Sequence, residues 1–136
     1  MNAETEIRSL FDRYLTAWNA RDFERVAGCY CEPSLFILPG AVVPVEDKAA
    51  LIALLGSIFA ALENDNFSHT EIGKLEVCPR GGSIATADAT GVRRLRKDGT
   101  EIEVIDAHYV LRRSENGWQF ATAATLPHHW SDDGDE

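Results

Sequence analysis

The stretch from Ser83 to Leu126 predicts three consecutive β-strands, and this pattern restricts the folds open to the chain. Asp98-Gly99 and Asn116-Gly117 interrupt the stretch, and both dipeptides readily adopt the left-handed backbone conformations that tight hairpins require. Strands joined by tight turns pair antiparallel, so we expect a three-stranded meander. Its strands are Ser83–Arg96, Thr100–Arg113 and Gly117–Leu126.

The middle strand of this meander is largely apolar on both faces. Side chains alternate along a strand, which divides the strand into two sets. An apolar sheet face has to be covered, so we expect helices over one face and a second subunit over the other. One set is Ile102, Val104, Asp106, His108 and Val110, and the other is Ile105, Ala107, Tyr109 and Leu111.

Helices and short strands precede the meander. Apolar residues from Ile7 to Trp18 recur with the spacing of one helix face, so a first helix is expected to end near Asn19-Ala20. Asp22 is expected to cap a second helix that ends near Gly28. The remaining segments are a strand at Ser34–Leu38, a loop or edge segment at Ala41–Val45, a third helix opened by Glu46 and Asp47, and a strand at Ser68–Cys78. The order ααβαβββ predicts an α+β fold, with three helices packed on a strongly curved, mixed but mainly antiparallel sheet.

The composition disfavours several classes of partner. The formal net charge is −9, which argues against binding to nucleic acid or to an anionic membrane surface. No apolar run approaches the length of a membrane span, and we expect a cytoplasmic protein. Residues 1–130 are expected to form a single domain, and residues 131–136 an acidic disordered tail.

The sequence contains no spacing typical of a metal or cofactor site, and we expect neither. Cys29, Cys31 and Cys78 lack the paired spacing of a zinc site or a disulfide framework, and are expected to be plain thiols. The sequence also lacks a phosphate-binding glycine loop and a nucleophile motif. The basic run from Arg93 to Lys97, with Arg112-Arg113 across the hairpin, is expected to be a solvated patch at the strand ends.

Four short motifs follow one another along the chain. They are Arg13-Tyr14 ahead of Trp18, an Asn19-Ala20-Arg21-Asp22 corner, Leu38-Pro39-Gly40 after the first strand, and a closing Arg112-Arg113 and Asn116-Gly117-Trp118 hairpin. Their order and spacing resemble the NTF2-like superfamily, which includes ketosteroid isomerases and SnoaL-type cyclases. The resemblance covers about Glu4 to Leu126. It implies a sheet that curls around the helices into a cone, with a mostly apolar pocket at the open end.

The isomerase branch of that superfamily implies roles for two residues. Tyr14 stands where the branch has a tyrosine that donates a hydrogen bond to a developing enolate oxygen. Leu38 stands at the position of the general base. Because leucine cannot accept a proton, we do not expect isomerase chemistry by that mechanism.

Two residues compete for the position of the second carboxyl of that branch. The string Val104-Ile105-Asp106 places Asp106 there, whereas counting back from the second hairpin turn places Tyr109 there. The two side chains point to opposite faces of the strand. A pairing of Arg113 with Trp118 favours Tyr109 in the pocket, which leaves Asp106 and His108 on the outer face near a dimer contact.

Asp88 is a further polar candidate, because Ala85–Thr90 is otherwise uncharged. A carboxylate buried among small residues can act as an acid or a base. A two-residue turn at Asp98-Gly99 puts Asp88 on the face of Tyr109, whereas a three-residue turn puts it opposite His108. The sequence leaves both arrangements open.

These patterns predict a protein that binds a small hydrophobic molecule in a cone-shaped pocket, with acid/base chemistry of isomerase, cyclase or dehydratase type as an extension. The alternative is a non-catalytic module with a filled cone, which dimerises or docks a partner through the outer sheet face. The candidate catalytic residues are Tyr14 and Asp88. The expected pocket residues are Trp18, Tyr30, Phe36, Phe59, Tyr109 and Trp118, with Asp106 and His108 as alternative polar residues.

Overall fold

The structure is a computed structural model that describes residues 2–128. The predicted acidic tail at residues 131–136 lies outside the described residues. The helices are α1 (Ala3–Asn19), α2 (Phe23–Gly28) and α3 (Lys48–Asn64). The strands are β1 (Tyr30–Leu38), β2 (Ala41–Val45), β3 (Phe67–Pro79), β4 (Ile84–Arg96), β5 (Glu101–Ser114) and β6 (Gly117–Pro127).

The six strands form a single sheet in the order β2-β1-β6-β5-β4-β3. β1 runs parallel to β6, and every other neighbouring pair is antiparallel. The predicted α+β class with a mixed, mainly antiparallel sheet is therefore confirmed. The meander β4-β5-β6 agrees with the predicted strands to within one residue at each end.

Each helix begins at a residue whose side chain accepts a backbone hydrogen bond. The Oδ1 atoms of Asn2, Asp22 and Asp47 accept N–H groups at the starts of α1, α2 and α3, which satisfies donors that have no partner within the helix. Of the helices that the described residues form, none combines the length and the apolar character needed to span a membrane.

The core lies between the helices and the inner face of the sheet. α1 contacts β3, β6 and α2, while α3 contacts α2, β2 and β3. The apolar stripe predicted for α1 is buried at Ile7, Leu10, Phe11 and Trp18. The largest side chains that are fully buried are Phe67, Phe120, Ile7, Leu51, Leu55, Leu111 and Val26.

The structure differs from the sequence-based prediction in the region between α2 and α3. The first strand begins at Tyr30 instead of Ser34, because Tyr30 pairs with Phe120 of β6, a partner far away in sequence. The segment Ala41–Val45 is an edge strand that pairs with β1. The sheet therefore has two strands before α3 and four after it.

A bulge in β4 changes which side chains face the core. Ala89 pairs with Ala107 and Val92 with Ile105, so two residues of β4 lie opposite a single residue of β5. Gly91 adopts a φ of 66° within this bulge, a left-handed conformation that glycine adopts without strain. Its N–H donates to the Asp106 carboxylate over 2.9 Å.

The predicted corner after α1 attaches that helix to β3. The amide side chain of Asn19 donates to the Thr70 carbonyl over 3.0 Å and accepts the Thr70 N–H over 2.8 Å. Arg21, at a φ of 57°, donates to the Ser68 carbonyl over 2.9 Å. These bonds hold the end of α1 beside the strand whose Thr70 faces the interior.

Candidate functional site

The curved sheet and the helices enclose a cavity of about 90 Å³, which we call the cone cavity. Its wall is mostly apolar and is formed by α1, α3 and five strands. Side chains on the inner face of the sheet and on the buried side of α1 dominate the lining. They are Tyr14, Leu15, Trp18, Tyr30, Phe36, Leu38, Ile58, Thr70, Ile72, Val92, Arg94, Ile105, Ala107, Tyr109, Ala123, Ala124 and Thr125.

Three tyrosines form a cluster in this wall. The hydroxyls of Tyr14 and Tyr30 are hydrogen-bonded over 3.2 Å, and the hydroxyl of Tyr109 interacts electrostatically with that of Tyr14. The rings meet edge to face, with centroids 5.9 Å apart for Tyr14 and Tyr30 and 6.3 Å apart for Tyr14 and Tyr109. With three hydroxyl protons and one hydrogen bond between Tyr14 and Tyr30, at least one proton is left for a further acceptor.

Burial keeps the tyrosine cluster protonated. It raises the pKa of Tyr14, Tyr30 and Tyr109 well above the ordinary value, and repulsion within the cluster adds to the shift of each. The positive charge of Arg94 lowers the pKa of Tyr14 and Tyr109 by a smaller amount. The cluster is therefore a set of neutral hydrogen-bond donors at neutral pH.

Trp18 and Thr70 close the wall next to this cluster. The indole Nε1–H of Trp18 donates to Thr70 Oγ1 over 3.0 Å, and Thr70 is held by Asn19 as described above. Both side chains are buried. The Trp18 indole is therefore fixed in position at the edge of the cone cavity.

Arg94 is the charged residue of the lining. Its Nη1 donates to Glu103 Oε2 over 2.8 Å, and its guanidinium carbon lies 5.6 Å from the centre of the Trp18 ring, within cation–π range. The Nε atom is buried and has no hydrogen-bond partner among the described residues. Arg94 therefore brings positive charge to a wall that is otherwise neutral, and it carries a buried N–H with no partner among the described residues.

Arg94 is not predicted in the cavity lining from its sequence position, because strict alternation along β4 ignores the bulge. Simple alternation places Arg94 on the same face as Asp88, whereas the extra residue at the bulge moves Val92 and Arg94 to the inner face. The expectation of a basic patch shared with Arg112 is also wrong, because Arg112 pairs with Ile84 at the other end of β4. The isolated Gly91 in a strand was the available signal for the bulge.

The structure brings four of the six expected pocket residues to the cone cavity, together with Tyr14. Tyr14, Trp18, Tyr30, Phe36 and Tyr109 line the cone cavity, and so does Leu38 at the position of the missing base. Phe59 lies behind Trp18, with ring centroids 4.7 Å apart, and does not reach the cavity.

Trp118 also lies outside the cone cavity, in contrast to the expectation. Its Nε1–H donates to Glu6 over 3.1 Å, because the start of β6 lies beside the first turns of α1. There it borders a shallow surface groove of about 650 Å³ between α1, α2 and β6. The alternation of Trp118 with Phe120 correctly predicts that Trp118 lies on the inner face of the sheet. It does not show that Trp118 lies at the end of β6 away from the cone cavity.

Asp88 lies outside the cone. Of the two possible registers of β4 and β5, the structure has the one that places Asp88 opposite His108. Asp88 pairs across the sheet with His108, and His108 Nδ1 lies 2.7 Å from its Oδ1. Asp106 contacts His128 Nδ1 over 2.8 Å on the same outer face. Asp88 is therefore no candidate for acid/base chemistry inside the cavity, while Asp106 and His108 occupy the outer face as favoured.

The described residues offer no arrangement typical of metal binding. Within residues 2–128, no group of three or more His, Cys, Asp and Glu side chains is placed to hold a metal ion. Cys29, Cys31 and Cys78 are all free. Among the described residues, the polar side chains of the cavity lining are three tyrosines, two threonines, Trp18 and Arg94.

A helix-lined cone with an interior cavity defines a protein of the cystatin-like architecture. The chain belongs to the family described as NTF2-like protein (DUF6841), which it matches over residues 4–128. No curated protein matches its sequence.

Solved structures from three bacteria share this fold. An NTF2-like protein with a cystatin-like fold from Novosphingobium aromaticivorans has a TM-score of 0.78 at 24% identity, covering 95% of this chain and 84% of that one. An NTF2-like protein from Pseudomonas putida has a TM-score of 0.75 at 20% identity, covering 98% and 92%. A ketosteroid isomerase-like protein from Erwinia carotovora atroseptica has a TM-score of 0.64 at 25% identity, covering 92% and 96%.

Proposed function

We propose that this protein binds a small, mainly apolar molecule in the cone cavity and holds a carbonyl-type oxygen of that molecule with the tyrosine cluster. The convergence of three protonated hydroxyls on an apolar cavity carries the proposal. Apolar walls with a few placed polar groups are typical of small-molecule sites. The unused hydroxyl proton of the cluster supplies the donor for the ligand oxygen.

The cavity volume limits the size of the ligand. A cavity of about 90 Å³ is smaller than the roughly 150 Å³ that holds benzene in an engineered protein core. It is also well below the range of roughly 300–1,000 Å³ that is typical of drug-sized ligands. The best match is a short branched molecule of about four to six non-hydrogen atoms.

The lining favours binding over proton transfer. Among the residues that the structure describes, no Asp, Glu or His side chain lines the cone cavity. A tyrosine donor can polarise a carbonyl group, but removal of a proton from carbon requires a base. One similar structure is described as ketosteroid isomerase-like, and Tyr14 matches the donor of that chemistry but Leu38 does not match its base.

The Trp18 indole N–H is a local reporter for a test by NMR. We expect 2-butanone and isobutyramide to shift its resonance at millimolar concentration, since Trp18 lines the cavity. Tyr14→Phe removes the central hydroxyl of the cluster and is expected to weaken binding by roughly tenfold, the loss of one good hydrogen bond. Trp118→Phe, an aromatic change outside the cavity, is the matched control and should bind as the native protein does.

Filling the cavity gives a second test. Ala107 is buried and lines the cavity, so Ala107→Leu places three more carbon atoms there. We expect this variant to stay folded and to lose the shift of the Trp18 resonance. A native protein whose Trp18 resonance does not respond to either compound would overturn the proposal.

A second candidate function uses the outer face of the sheet as a homodimer contact. The centre of this face carries partly exposed apolar side chains, and its border carries both acidic residues, Glu76 and Asp88, and basic ones, Arg93 and Arg112. A second copy related by a twofold axis would use the same patch on both subunits, so acidic and basic residues of its border can pair across the contact. The apolar side chains are Leu35, Ile37, Val104, Val110 and Leu126.

A further inference from the structure

We infer that the cone cavity selects a short-chain carboxylate, which Arg94 and the tyrosine cluster hold together. This inference rests on the proposed function, because it specifies the charge of the ligand that the cavity takes. It derives from the geometry around Arg94 and from the charges that surround the cavity.

The guanidinium of Arg94 has an unused donor. Its Nη1 is bonded to Glu103, one face lies against Trp18, and its Nε is buried with no partner among the described residues. A buried N–H without a partner is costly, so a shift of the Arg94 side chain that brings Nε to an acceptor in the cavity is favourable. A carboxylate suits this position because a hydrogen bond between a guanidinium N–H and a carboxylate oxygen is charge-assisted and therefore strong.

The surroundings of Arg94 favour an anion over a neutral ligand. Among the described residues, the lining contains no acidic side chain that would repel a carboxylate. Glu103, the present partner of Arg94, has a side chain that is 42% exposed against 20% for Arg94. Glu103 is therefore solvated well enough to give up part of its interaction when a buried carboxylate arrives.

The tyrosine cluster supplies the second half of the site. Arg94, Tyr14 and Tyr109 line the same cavity of about 90 Å³, so a small ligand there lies close to both the guanidinium and the hydroxyls. A carboxylate has two oxygens. One can accept from Arg94 while the other accepts the unused hydroxyl proton.

Isobutyrate and isobutyramide distinguish charge from shape, because they have nearly the same size. We expect isobutyrate to shift the Trp18 indole resonance with an affinity about tenfold higher than that of isobutyramide, since charge-assisted hydrogen bonds are the stronger ones. Raising the salt concentration should reduce this ratio only slightly, because a buried pair is weakly screened.

Two variants assign the preference to Arg94. Arg94→Gln is expected to retain binding of isobutyramide and to lose the preference for isobutyrate. Glu103→Gln leaves the guanidinium in place and removes the competing carboxylate, so it is expected to bind isobutyrate more tightly. This second variant tests the inference even if Arg94→Gln does not fold.

The outcomes separate this inference from the proposed function. Equal affinity of the native protein for the two compounds overturns the carboxylate preference and leaves ligand binding intact. Weaker isobutyrate binding in Glu103→Gln also overturns it. If neither compound shifts the Trp18 resonance, both the inference and the proposed function fail.

Discussion

At the scale of single residues, the interior of the cone is organised by hydroxyl groups that are kept neutral by burial. Tyr14, Tyr30 and Tyr109 each have a raised pKa whose main cause is desolvation. Their common position on the inner wall comes from α1, β1 and β5, three elements that are distant in sequence. The cluster therefore exists only in the folded state, and its titration is linked to folding.

The tyrosine cluster predicts a loss of stability at high pH. Unfolded tyrosine loses its proton near pH 10, while the buried tyrosines keep theirs because the pKa of each is raised. Above about pH 10 the unfolded state therefore binds fewer protons than the native state, and the free energy of unfolding falls as the pH rises. Each tyrosine contributes up to about 1.4 kcal/mol per pH unit.

Urea unfolding between about pH 9 and pH 11 measures this slope. Tyr30→Phe removes one of the three groups and should make the decline with pH shallower, even if the variant is less stable at neutral pH. An equal slope in both proteins would contradict the assignment of raised pKa values to the cluster.

The cysteines predict a selective labelling pattern. Cys78 is exposed, Cys29 is buried and Cys31 is half-buried, and burial raises the pKa of the Cys29 and Cys31 thiols. Because the thiolate is the reactive form, we expect a thiol reagent at pH 8 to modify Cys78 first. Cys78→Ser should abolish the fast phase of the reaction, and a fast phase that persists in this variant would show that a second thiol is accessible.

At the scale of elements, the bulge in β4 decides the character of the cone cavity. One additional residue in β4 turns Val92 and Arg94 inward, and the Asp106 carboxylate holds the bulge by accepting the Gly91 N–H. Gly73 of β3 lies beside it, where an added Cβ would come within 3.0 Å of the Thr90 carbonyl oxygen. Two glycines and one aspartate on three strands therefore support the position of Arg94.

Substitution of Gly91 tests this support. The site has room for a Cβ, whose nearest neighbour would be 3.9 Å away, so the cost of Gly91→Ala comes from the φ of 66°. We expect a loss of about 1–2 kcal/mol in the free energy of unfolding, measured with urea. Gly91→Asn should cost less, because asparagine tolerates this conformation. If the Gly91→Ala variant is as stable as the native protein, the bulge does not require the left-handed conformation.

Local signals in the sequence were enough to predict most elements. The Asp98-Gly99 and Asn116-Gly117 turns and the capping residues Asp22 and Asp47 act over two to four residues, and the structure has each where expected. The start of β1 was missed because Tyr30 is held by pairing with β6. The inward direction of the Arg94 side chain was not predicted, because one extra residue in β4 reverses which of the following side chains face inward.

The cavity itself could not be derived from the sequence. Its aromatic wall was anticipated in part, since Tyr14, Trp18, Tyr30, Phe36 and Tyr109 do line it. Its volume of about 90 Å³ results from how closely these rings pack, and packing depends on side-chain rotamers that periodicity does not specify. The positions of Phe59 and Trp118 depend on the same packing.

At the scale of the whole molecule, the outer face of the sheet predicts a dimer. We expect the native protein to elute as a dimer in size-exclusion chromatography with light scattering. Val110→Asp places a charge among the partly exposed apolar residues of this face and should give a monomer. Ala60→Asp introduces the same charge at an exposed position on α3, and this control variant should remain dimeric. A native protein that is monomeric at about 100 μM would contradict the prediction.

The parallel pairing of β1 with β6 also has a consequence for how the chain folds. Tyr30 and Phe120 are partners in this pair, so two neighbouring strands of the sheet come from distant parts of the sequence. Contacts of such high sequence separation form slowly, because the chain entropy lost in bringing the segments together is offset only after the contacts have formed. During synthesis, α1 and β1 leave the ribosome long before β6, and the aromatic residues that they carry stay in water until the last strand arrives.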